Sequence, residues 1–291
     1  MNLVSAHLPA PFIVGVGRSG TTLLRLMLDA HPDLAIPPET HFLHRLHIGE
    51  QTNADAFLEI LTSAHTWSDF HLEKQLLAEQ LALLAPFNLA EAIRVFFRQY
   101  ANREGKARWG DKTPYYAECM PHIHGLLPEA RFIHLIRDGR DVALSYRDKW
   151  FGPGKNLRDA ARFWRDRIEH ARQQAQSLPD GAYLEIRYED LVRAPEASLR
   201  QIGEPLQLEF HPAMLDYHQG ASRRLSEIQD HRDSSGLITV PRDQHLAIHQ
   251  NTLRPPDPAL LEKWQRELTP EENALFTQEA GDLLQQLGYP T

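Results

Sequence analysis

The residues best suited to chemistry lie in one glycine-rich stretch near the N-terminus, Gly-Val-Gly-Arg-Ser-Gly-Thr-Thr at 15–22. An apolar, β-branched run at 12–16 leads into it, and a leucine-rich amphipathic segment begins at Thr21. A strand, a glycine loop and a helix N-terminus in this order bind anions, because backbone N–H groups point at the ligand and the helix dipole favours negative charge. The loop also carries anion-binding side chains: Arg18, Ser19, Thr21 and Thr22. We therefore predict that this loop binds a phosphate group.

Two known patterns fit this loop, and each lacks a part. The segment 15–20 matches G-x-G-x-x-G, which requires an acidic ribose ligand about 20 residues later. Glu39 lies near that distance, but the prolines at 37–38 stand where the second strand of such a fold should run. The segment 15–22 also matches G-x-x-x-x-G-K-[ST], with Thr21 in place of the lysine that serves the β- and γ-phosphates of a nucleoside triphosphate. The missing lysine argues against ATP or GTP and indicates another phosphorylated ligand.

A second block of charged and hydroxyl residues follows a clear strand at 131–137. Arg137 ends this strand, and the predicted helix after it carries Ser145 and Lys149. Open α/β sheets bind ligands at the carboxyl ends of their strands, and an arginine there can bind a phosphate bidentately. The alternative is a surface ion-pair cluster formed with the charges at 138–141.

The elements that position both blocks follow from hydrophobic periodicity. The predicted strands are 12–16, 106–112, 131–137 and 182–188. The predicted helices are 21–30, 115–127, 140–150, 156–177, a helix from Pro195, and helices within 262–287. The segment 51–103, broken at Pro86, is helical too early for strict strand–helix alternation, and the polar segment 219–258 is predicted to be loop. The pattern predicts an α/β fold with a central, mainly parallel sheet flanked by helices, in one domain, 1–291, with a helical insertion at about 51–103.

Composition limits the class of protein. The chain has 291 residues, 42% of them hydrophobic, which suits one large α/β domain or two small ones. A net charge of -8 argues against a general affinity for nucleic acid or anionic membrane. Cys119 is the only cysteine, which excludes an internal disulfide and fits a reducing compartment. Residues 1–11 lack a signal-like pattern, and no run approaches the about 20 apolar residues of a membrane span, so we predict a soluble, cytoplasmic protein.

With both blocks in view, the chain resembles the sulfotransferases that use 3'-phosphoadenosine 5'-phosphosulfate (PAPS). The segment 18–22 is similar to their 5'-phosphosulfate loop, and 137–145 is similar to their 3'-phosphate block. Shorter segments resemble the tyrosylprotein sulfotransferase branch: Ala-His-Pro at 30–32, Glu-Thr at 39–40, Lys-Thr-Pro at 112–114, Tyr-Glu-Asp-Leu-Val at 188–192 and Leu-Glu-Lys-Trp at 261–264. The likeness covers most of the chain and is weak across 51–103.

The resemblance implies a P-loop-like α/β domain without a metal requirement, and it assigns roles to matching positions. The residues implied to bind the 5'-phosphosulfate are Arg18, Ser19, Gly20, Thr21 and Thr22. Arg137 and Ser145 are implied to bind the 3'-phosphate, with help from Lys149, and Tyr188 is implied to lie against the nucleotide. Glu39 matches the general base of the family, and Arg18 and Lys112 match its cationic helpers. The expected product of PAPS is 3',5'-adenosine bisphosphate.

Sulfuryl transfer needs the same set of groups on chemical grounds. A base takes the proton of the acceptor as the new bond forms, and a cation stabilises the charge that grows on the leaving phosphate. Glu39, Lys112 and Arg18 supply this set. His41 and His44 are alternative bases, because some sulfotransferases use histidine. Simple structural roles also stay open, namely Glu39 capping a helix, Lys112 in a surface loop and Tyr188 in the core.

The acceptor is predicted to offer a hydroxyl or an amine, on a small molecule, lipid, glycan or tyrosyl peptide. Its pocket is predicted to lie between the helical insertion and the loop after Trp150, with these candidate wall residues: His41, Phe42, Trp67, Trp150 and Phe151. No histidine spacing predicts a metal site, and the sequence leaves a homodimer open. The alternatives to a sulfotransferase are a nucleotide-dependent kinase or dehydrogenase, or a non-catalytic nucleotide-binding module.

Overall fold

A computed structural model describes residues 7–47, 52–147, 149, 151–154, 156–233 and 235–291. Its strands are β1 (Ala10–Val14), β2 (Leu34–Ala35), β3 (Arg108–Trp109), β4 (Asp111–Lys112), β5 (Ala130–Ile136), β6 (Tyr183–Arg187), β7 (His231–Arg232) and β8 (Ile238–Val240). The central sheet has the order β4-β1-β5-β6, and all of its pairs are parallel. Outside it, β2 pairs with β3 in parallel and β7 pairs with β8 in antiparallel. The predicted α/β fold with a parallel sheet is confirmed.

The helices surround this sheet. They are α1 (Thr21–Asp29), α2 (Ala54–Thr62), α3 (Lys74–Ala82), α4 (Leu89–Arg103), α5 (Met120–Leu126), α6 (Gly139–Tyr146), α7 (Leu157–Ala175), α8 (Tyr188–Arg193), α9 (Pro195–Leu206), α10 (His218–Leu225), α11 (Arg242–Ala247), α12 (Trp264–Glu267) and α13 (Pro270–Gln286). Short 3₁₀ turns connect several of them: Leu43–Arg45, Trp67–Phe70, Pro114–Glu118, Pro212–Met214, Gln250–Leu253 and Pro258–Leu260. None of the helices in the described ranges is long and apolar enough to cross a lipid bilayer.

The pairing of β1 with β5 brings the two sequence blocks together. Both strands are buried, as is usual where helices cover both faces of a parallel sheet. Their register places Val14 opposite His134, so the two strands end side by side. The glycine loop follows β1 and Arg137 follows β5, and therefore both blocks lie at the same edge of the sheet.

The predicted helical insertion is present as α2, α3 and α4, and it packs on one face of the sheet through aromatic residues. Phe42 is fully buried there, with its ring centroid 6.1 Å from that of Phe57 and 5.2 Å from that of Phe96. Phe42 therefore belongs to the core and does not line an acceptor pocket, contrary to the prediction. Trp67 packs on Phe70 and borders a separate surface groove.

The segment 219–258 is not the loop that its polar composition predicts, because part of its charge is buried. It contains most of α10, the β7–β8 hairpin and α11. Arg224 on α10 lies 2.7 Å from Asp29 Oδ2 of α1 and forms an ion pair with Glu227, and all three residues are buried. Arg25 also contacts Glu227, at 3.2 Å. This ion network fixes the segment to α1, next to the glycine loop.

Smaller differences concern the ends of elements. The predicted helix at 115–127 is divided at Cys119 into a 3₁₀ turn and α5, and the helix predicted at 140–150 ends at Tyr146. Tyr188 starts α8 instead of ending the strand before it. Gln51, the predicted start of the insertion, and Trp150, a predicted wall residue, lie outside the described residues.

Candidate active site

The glycine loop passes so close to its neighbours that side chains would not fit at two of its glycines. Gly20, the N-cap of α1, has φ 93°, and a Cβ there would clash with the ring of Tyr188. Gly15 has φ 152°, and its Cβ would lie 2.6 Å from the carbonyl oxygen of Leu135 on β5. The loop is thus held against β5 and Tyr188, with the N-terminus of α1 facing the carboxyl edge of the sheet.

Each of the two blocks contains a buried polar atom without a hydrogen-bond partner in the described part of the chain. The Oγ of Ser19 and the Nε of Arg137 are buried and have no hydrogen-bond partner within the described part of the chain. Thr21 and Thr22, which begin α1, are also buried. Buried donors without a partner are rare in native proteins, so these atoms fit a phosphorylated ligand at this edge.

Arg137 is oriented by three contacts. Its guanidinium donates to the carbonyl oxygen of Arg18 at 3.3 Å and to Asp141 Oδ2 at 3.1 Å, and it lies 4.8 Å from the centre of the Tyr188 ring. The Asp141 side chain is fully buried. The charges at 138–141 are therefore an internal framework that fixes Arg137, and a surface ion-pair cluster is excluded.

Arg18 joins the two blocks. Its Nε donates to Ser145 Oγ at 3.0 Å, and its Nη2 donates to the carbonyl oxygen of Ile248 at 3.2 Å. Two residues that were predicted to bind opposite ends of the nucleotide thus touch each other. Lys149 follows α6, and it does not border either of the cavities described below.

Glu39 and Lys112 form the central pair of the site. Lys112 Nζ lies 2.6 Å from Glu39 Oε1 and 3.4 Å from Thr22 Oγ1, and Lys112 is buried at the end of β4, so it is not a surface lysine. The other oxygen of Glu39, Oε2, lies 2.8 Å from Nε2 of His41. Burial raises the pKa of Glu39, but the charge of Lys112 and the hydrogen bond of His41 outweigh it and hold the pKa well below its usual value. Glu39 is therefore ionised at neutral pH. It does not cap a helix, because no helix in the described part of the chain begins at residue 39 or 40.

A hydrogen-bonded framework behind Glu39 explains the spacing of two sequence motifs. Thr40 donates to Asp111 Oδ1 at 2.7 Å, its backbone N–H donates to Thr113 Oγ1 at 2.9 Å, and its hydroxyl lies 2.8 Å from the Tyr116 hydroxyl. Burial raises the pKa of Asp111 to about 7. The Glu-Thr and Lys-Thr-Pro segments thus hold each other, and Tyr116, which the sequence did not single out, completes the framework.

Two cavities meet at Glu39. The first, about 360 Å³, is bordered by the glycine loop and by aromatic rings, and we call it the loop cavity. The second, about 340 Å³, is bordered by Lys112, Arg25 and several histidines, and we call it the histidine cavity. The residues that border both are Thr22, Glu39, His41, His245 and His249. Phe151, a predicted wall residue of the acceptor pocket, borders the loop cavity, whereas His44 borders neither cavity and packs against Tyr115.

The histidine cavity could not be read from the sequence, because its residues come from distant segments. Ring centroids are 5.0 Å apart for His41 and His65, 4.9 Å for His65 and His231, and 4.5 Å for His231 and His245. Burial lowers the pKa of His65 to about 4 and that of His249 to about 3, so both are neutral at pH 7. In the described ranges, no group of three or more His, Cys, Asp or Glu residues has the arrangement of a metal site.

Comparison with solved structures and curated proteins agrees with this geometry. The chain superposes with a TM-score of 0.68 on the sulfotransferase domain of the Synechococcus PCC 7002 olefin synthase, at 26% identity, over 99% of this chain and 98% of that one. It is 31% identical to protein-tyrosine sulfotransferase 1 of Danio rerio over 75% of this chain and 58% of that protein. For protein-tyrosine sulfotransferase 2 of Gallus gallus the identity is 30%, over 74% of this chain and 55% of that protein.

The chain thus spans a little over half the length of these two vertebrate relatives. The sequence model of the Sulfotransferase family matches residues 9–212, which include the glycine loop, the Glu39–Lys112 pair and the Arg137 block. Sulfotransferases take their sulfuryl group from PAPS, in agreement with the two predicted phosphate-binding blocks. The chain therefore belongs to the sulfotransferase family.

Proposed function

We propose that this sulfotransferase transfers the sulfuryl group of PAPS to a hydroxyl group of an acceptor that enters the loop cavity, with Glu39 as the proton acceptor. One observation carries the proposal: Glu39 lies between Lys112 and His41, beside the N-terminus of α1, where the two cavities meet. A carboxylate, a cation and an anion-binding helix end are the groups that in-line sulfuryl transfer requires.

The residues present fit the donor. The unpartnered Oγ of Ser19 lies at the N-terminus of α1, where it would bind the 5'-phosphosulfate together with Thr21 and Thr22. Arg137, whose Nε also lacks a partner among the described residues, would bind the 3'-phosphate with Ser145. When bound, PAPS supplies a sulfuryl group on a phosphate that can leave.

The chemistry then follows from the Glu39–Lys112 pair. Glu39 accepts the acceptor's proton as its O–S bond forms, and the S–O bond to the 5'-phosphate breaks with the electron pair on the phosphate oxygen. Lys112 stabilises that oxygen. As Lys112 moves towards the growing charge on the phosphate, its attraction to Glu39 weakens. The pKa of Glu39 then rises, so the carboxylate becomes a stronger base while the acceptor loses its proton.

The names of the relatives and the walls of the loop cavity favour different classes of acceptor. Tyrosyl peptides are one candidate, because several relatives are named protein-tyrosine sulfotransferases. The aromatic wall of the loop cavity, formed by Tyr115, Tyr146, Phe151 and Phe163, suits an apolar small molecule or lipid chain equally well. A cytoplasmic location and a homodimer stay predictions from the sequence.

The proposal is tested by binding and transfer together. In a thermal-shift panel, 3',5'-adenosine bisphosphate should raise the melting temperature, whereas ATP and NAD should have little effect. Labelled sulfate from PAPS should then reach at least one member of a panel of phenols, alcohols, sugars and tyrosyl peptides. Stabilisation by ATP or NAD without stabilisation by the bisphosphate would contradict the proposal.

A further inference from the structure

The segment 39–43 carries the proposed base beside a residue with a strained backbone. His41 has φ 50°, in the left-handed region that residues other than glycine rarely adopt. Strain of this kind persists only where the surroundings fix the backbone, and it is concentrated at functional sites. In this conformation His41 Nε2 lies 2.8 Å from Glu39 Oε2. The contacts that fix the segment therefore bear on how the base is presented, an inference that rests on the proposed function.

Tyr116 fixes the second half of this segment. The backbone N–H groups of Phe42 and Leu43 both donate to the hydroxyl oxygen of Tyr116, each at 3.0 Å. A phenolic oxygen that accepts two hydrogen bonds still has its own hydrogen to donate, and Thr40 Oγ1 lies 2.8 Å away. Tyr116 is fully buried, so bulk solvent does not compete for these contacts. One hydroxyl group thus holds the backbone on both sides of His41.

Asp111 fixes the first half of the segment through Thr40. The Thr40 hydroxyl accepts the hydrogen of Tyr116 and donates its own to Asp111 Oδ1 at 2.7 Å. Both Thr40 and Asp111 are fully buried. In the chain, Thr40 directly follows the proposed base, and Asp111 directly precedes its cationic partner Lys112. The hydrogen bond between them therefore ties the peptide that carries the base to the strand that carries the cation.

The turn that contains Tyr116 is also joined to the glycine loop. Tyr116 lies in the 3₁₀ turn Pro114–Glu118, and the backbone N–H of Gly15 donates to the carbonyl oxygen of Pro114 at 3.3 Å. Just before this turn, β4 pairs with β1, with Lys112 opposite Ile13. One short stretch of chain, 111–116, thus contacts the peptide of the base, carries the cation and borders the loop that is proposed to bind the phosphosulfate.

We propose that Tyr116 and Asp111 are positioning residues of the sulfuryl transfer reaction. Acting through Thr40, they hold the Glu39 carboxylate against the Lys112 ammonium group and keep the backbone of the segment 39–43 in one conformation. Both side chains are fully buried and border neither the loop cavity nor the histidine cavity. Their effect on the reaction therefore passes through the groups that they hold.

Two substitutions of Thr40 test the connection between the two positioning residues. Thr40→Val keeps the shape of the side chain and removes the hydroxyl, whereas Thr40→Ser keeps the hydroxyl. Transfer from PAPS is measured with the member of the acceptor panel that the unchanged chain sulfates fastest. We expect kcat to fall by about 10- to 100-fold in Thr40→Val, because a misplacement on the order of 1 Å can reduce a rate by about 100-fold.

Thr40→Ser should keep kcat within about threefold of the unchanged chain, because both hydrogen bonds can still form. Calorimetry should give an unchanged affinity for 3',5'-adenosine bisphosphate in both variants, since neither substitution alters the Arg137 block. The loss is thereby confined to the chemical step. Equal kcat values in Thr40→Val and Thr40→Ser would overturn the proposal.

Two buried tyrosines separate positioning from stability. Tyr100 is also fully buried, but its hydroxyl lies 3.0 Å from Glu227 Oε2 and 2.7 Å from Arg224 Nη2. Tyr116→Phe and Tyr100→Phe should both lower Tm, because each leaves buried groups without a hydrogen-bond partner. Only Tyr116→Phe should also lower kcat, by about tenfold or more. A kcat that is equal in the two variants would show that Tyr116 has only a structural role.

A crystal structure of Thr40→Val with the bisphosphate gives a readout that needs no acceptor. The distance from Lys112 Nζ to Glu39 Oε1, which is 2.6 Å in the unchanged chain, should exceed the hydrogen-bond limit of about 3.2 Å. An unchanged distance together with an unchanged φ at His41 would overturn the proposal. Failure of the proposed function would look different, since the unchanged chain would then sulfate no member of the panel and would not bind the bisphosphate.

Discussion

Lys112 Nζ lies 2.6 Å from one oxygen of Glu39, and His41 Nε2 lies 2.8 Å from the other. Both oxygens of the proposed base are thus occupied in the free protein. Lys112 is buried, whereas the His41 side chain is 24% exposed and borders both cavities. His41 is therefore the partner that an entering acceptor hydroxyl can displace.

Replacing Glu39 with glutamine should separate binding from chemistry. Glu39→Gln keeps the shape of the side chain and removes its basicity, so transfer should fall by about 10²- to 10⁴-fold while the affinity for 3',5'-adenosine bisphosphate stays unchanged. Calorimetry and labelled-sulfate transfer measure the two quantities. Glu118→Gln, which changes a second carboxylate of the loop cavity, should reduce transfer far less. Normal transfer by Glu39→Gln would show that Glu39 is not the base, and His41 would then be the next candidate.

Removing the charge of Lys112 should change the pH dependence. The folded protein holds the pKa of Glu39 well below 4.5, so the active, ionised form persists until the pH falls through that low value. In Lys112→Met the burial of Glu39 is no longer offset by the lysine, its pKa rises, and the acid limb of kcat/KM should move to higher pH. Lys106→Met is the control, because Lys106 pairs with Asp29 and does not contact Glu39. An unmoved acid limb would show that Lys112 does not control the base.

Arg137 should decide the affinity for the nucleotide. Arg137→Ala removes the proposed bidentate contact with the 3'-phosphate and should weaken binding of 3',5'-adenosine bisphosphate by about 10- to 100-fold. Arg147→Ala, just after α6, removes a partly exposed arginine that pairs with Glu272 and should leave binding unchanged. Equal calorimetric affinities for both variants would argue against the assignment.

The glycine loop offers a matched pair for stability. Gly20→Ala places a Cβ against the Tyr188 ring at φ 93° and should lower the free energy of unfolding by about 2–4 kcal/mol. Gly105→Ala also sits at a positive φ, 69°, but its Cβ would meet nothing within 4 Å, so a loss of only about 1 kcal/mol is expected. Urea unfolding measures both. If Gly105→Ala lost as much stability as Gly20→Ala, the clash with the Tyr188 ring would not add to the destabilisation.

Two neighbouring arginines test the buried ion network. Arg224 is buried between Asp29 and Glu227, and Arg224→Met leaves both carboxylates without this partner, so about 3–5 kcal/mol of stability should be lost. Arg223 is 67% exposed, and Arg223→Met should change stability by less than about 1 kcal/mol. Burial raises the pKa of Asp29, but the charges of Arg224, Lys106 and Arg25 and the backbone hydrogen bond from Ile36 together outweigh it and lower the pKa, so the contribution of the Arg224–Asp29 pair should disappear as the pH falls through that low value. Equal losses in the two variants would contradict the network.

The sequence predicted those parts of the fold and site that rest on local patterns. Strand β1, the glycine loop and α1 follow one another in sequence, and Arg137 ends a clear apolar strand, so both blocks were identified without the structure. The polar composition of the segment 219–258 wrongly predicts a loop, because Arg224 and Glu227 look like surface charges until their partners on α1 are known. The prediction that Phe42 lines the acceptor pocket is wrong, because an aromatic residue that is close to a site in sequence is equally suited to the core. The histidine cavity depends on contacts between His41, His65 and His231, which no local pattern reveals.

The pairing of β1 with β5 limits how far apart the two proposed anion sites can lie. Each phosphate-binding block follows one of these strands, and neighbouring strands lie about 4.8 Å apart wherever they pair. The two proposed anion sites are therefore held next to each other by the pairing of these strands. This pairing consists of backbone hydrogen bonds, which side-chain substitutions do not alter. A ligand that meets both blocks therefore has to present an anionic group at each of two neighbouring strand ends, as a nucleotide phosphorylated on both sides of its ribose does.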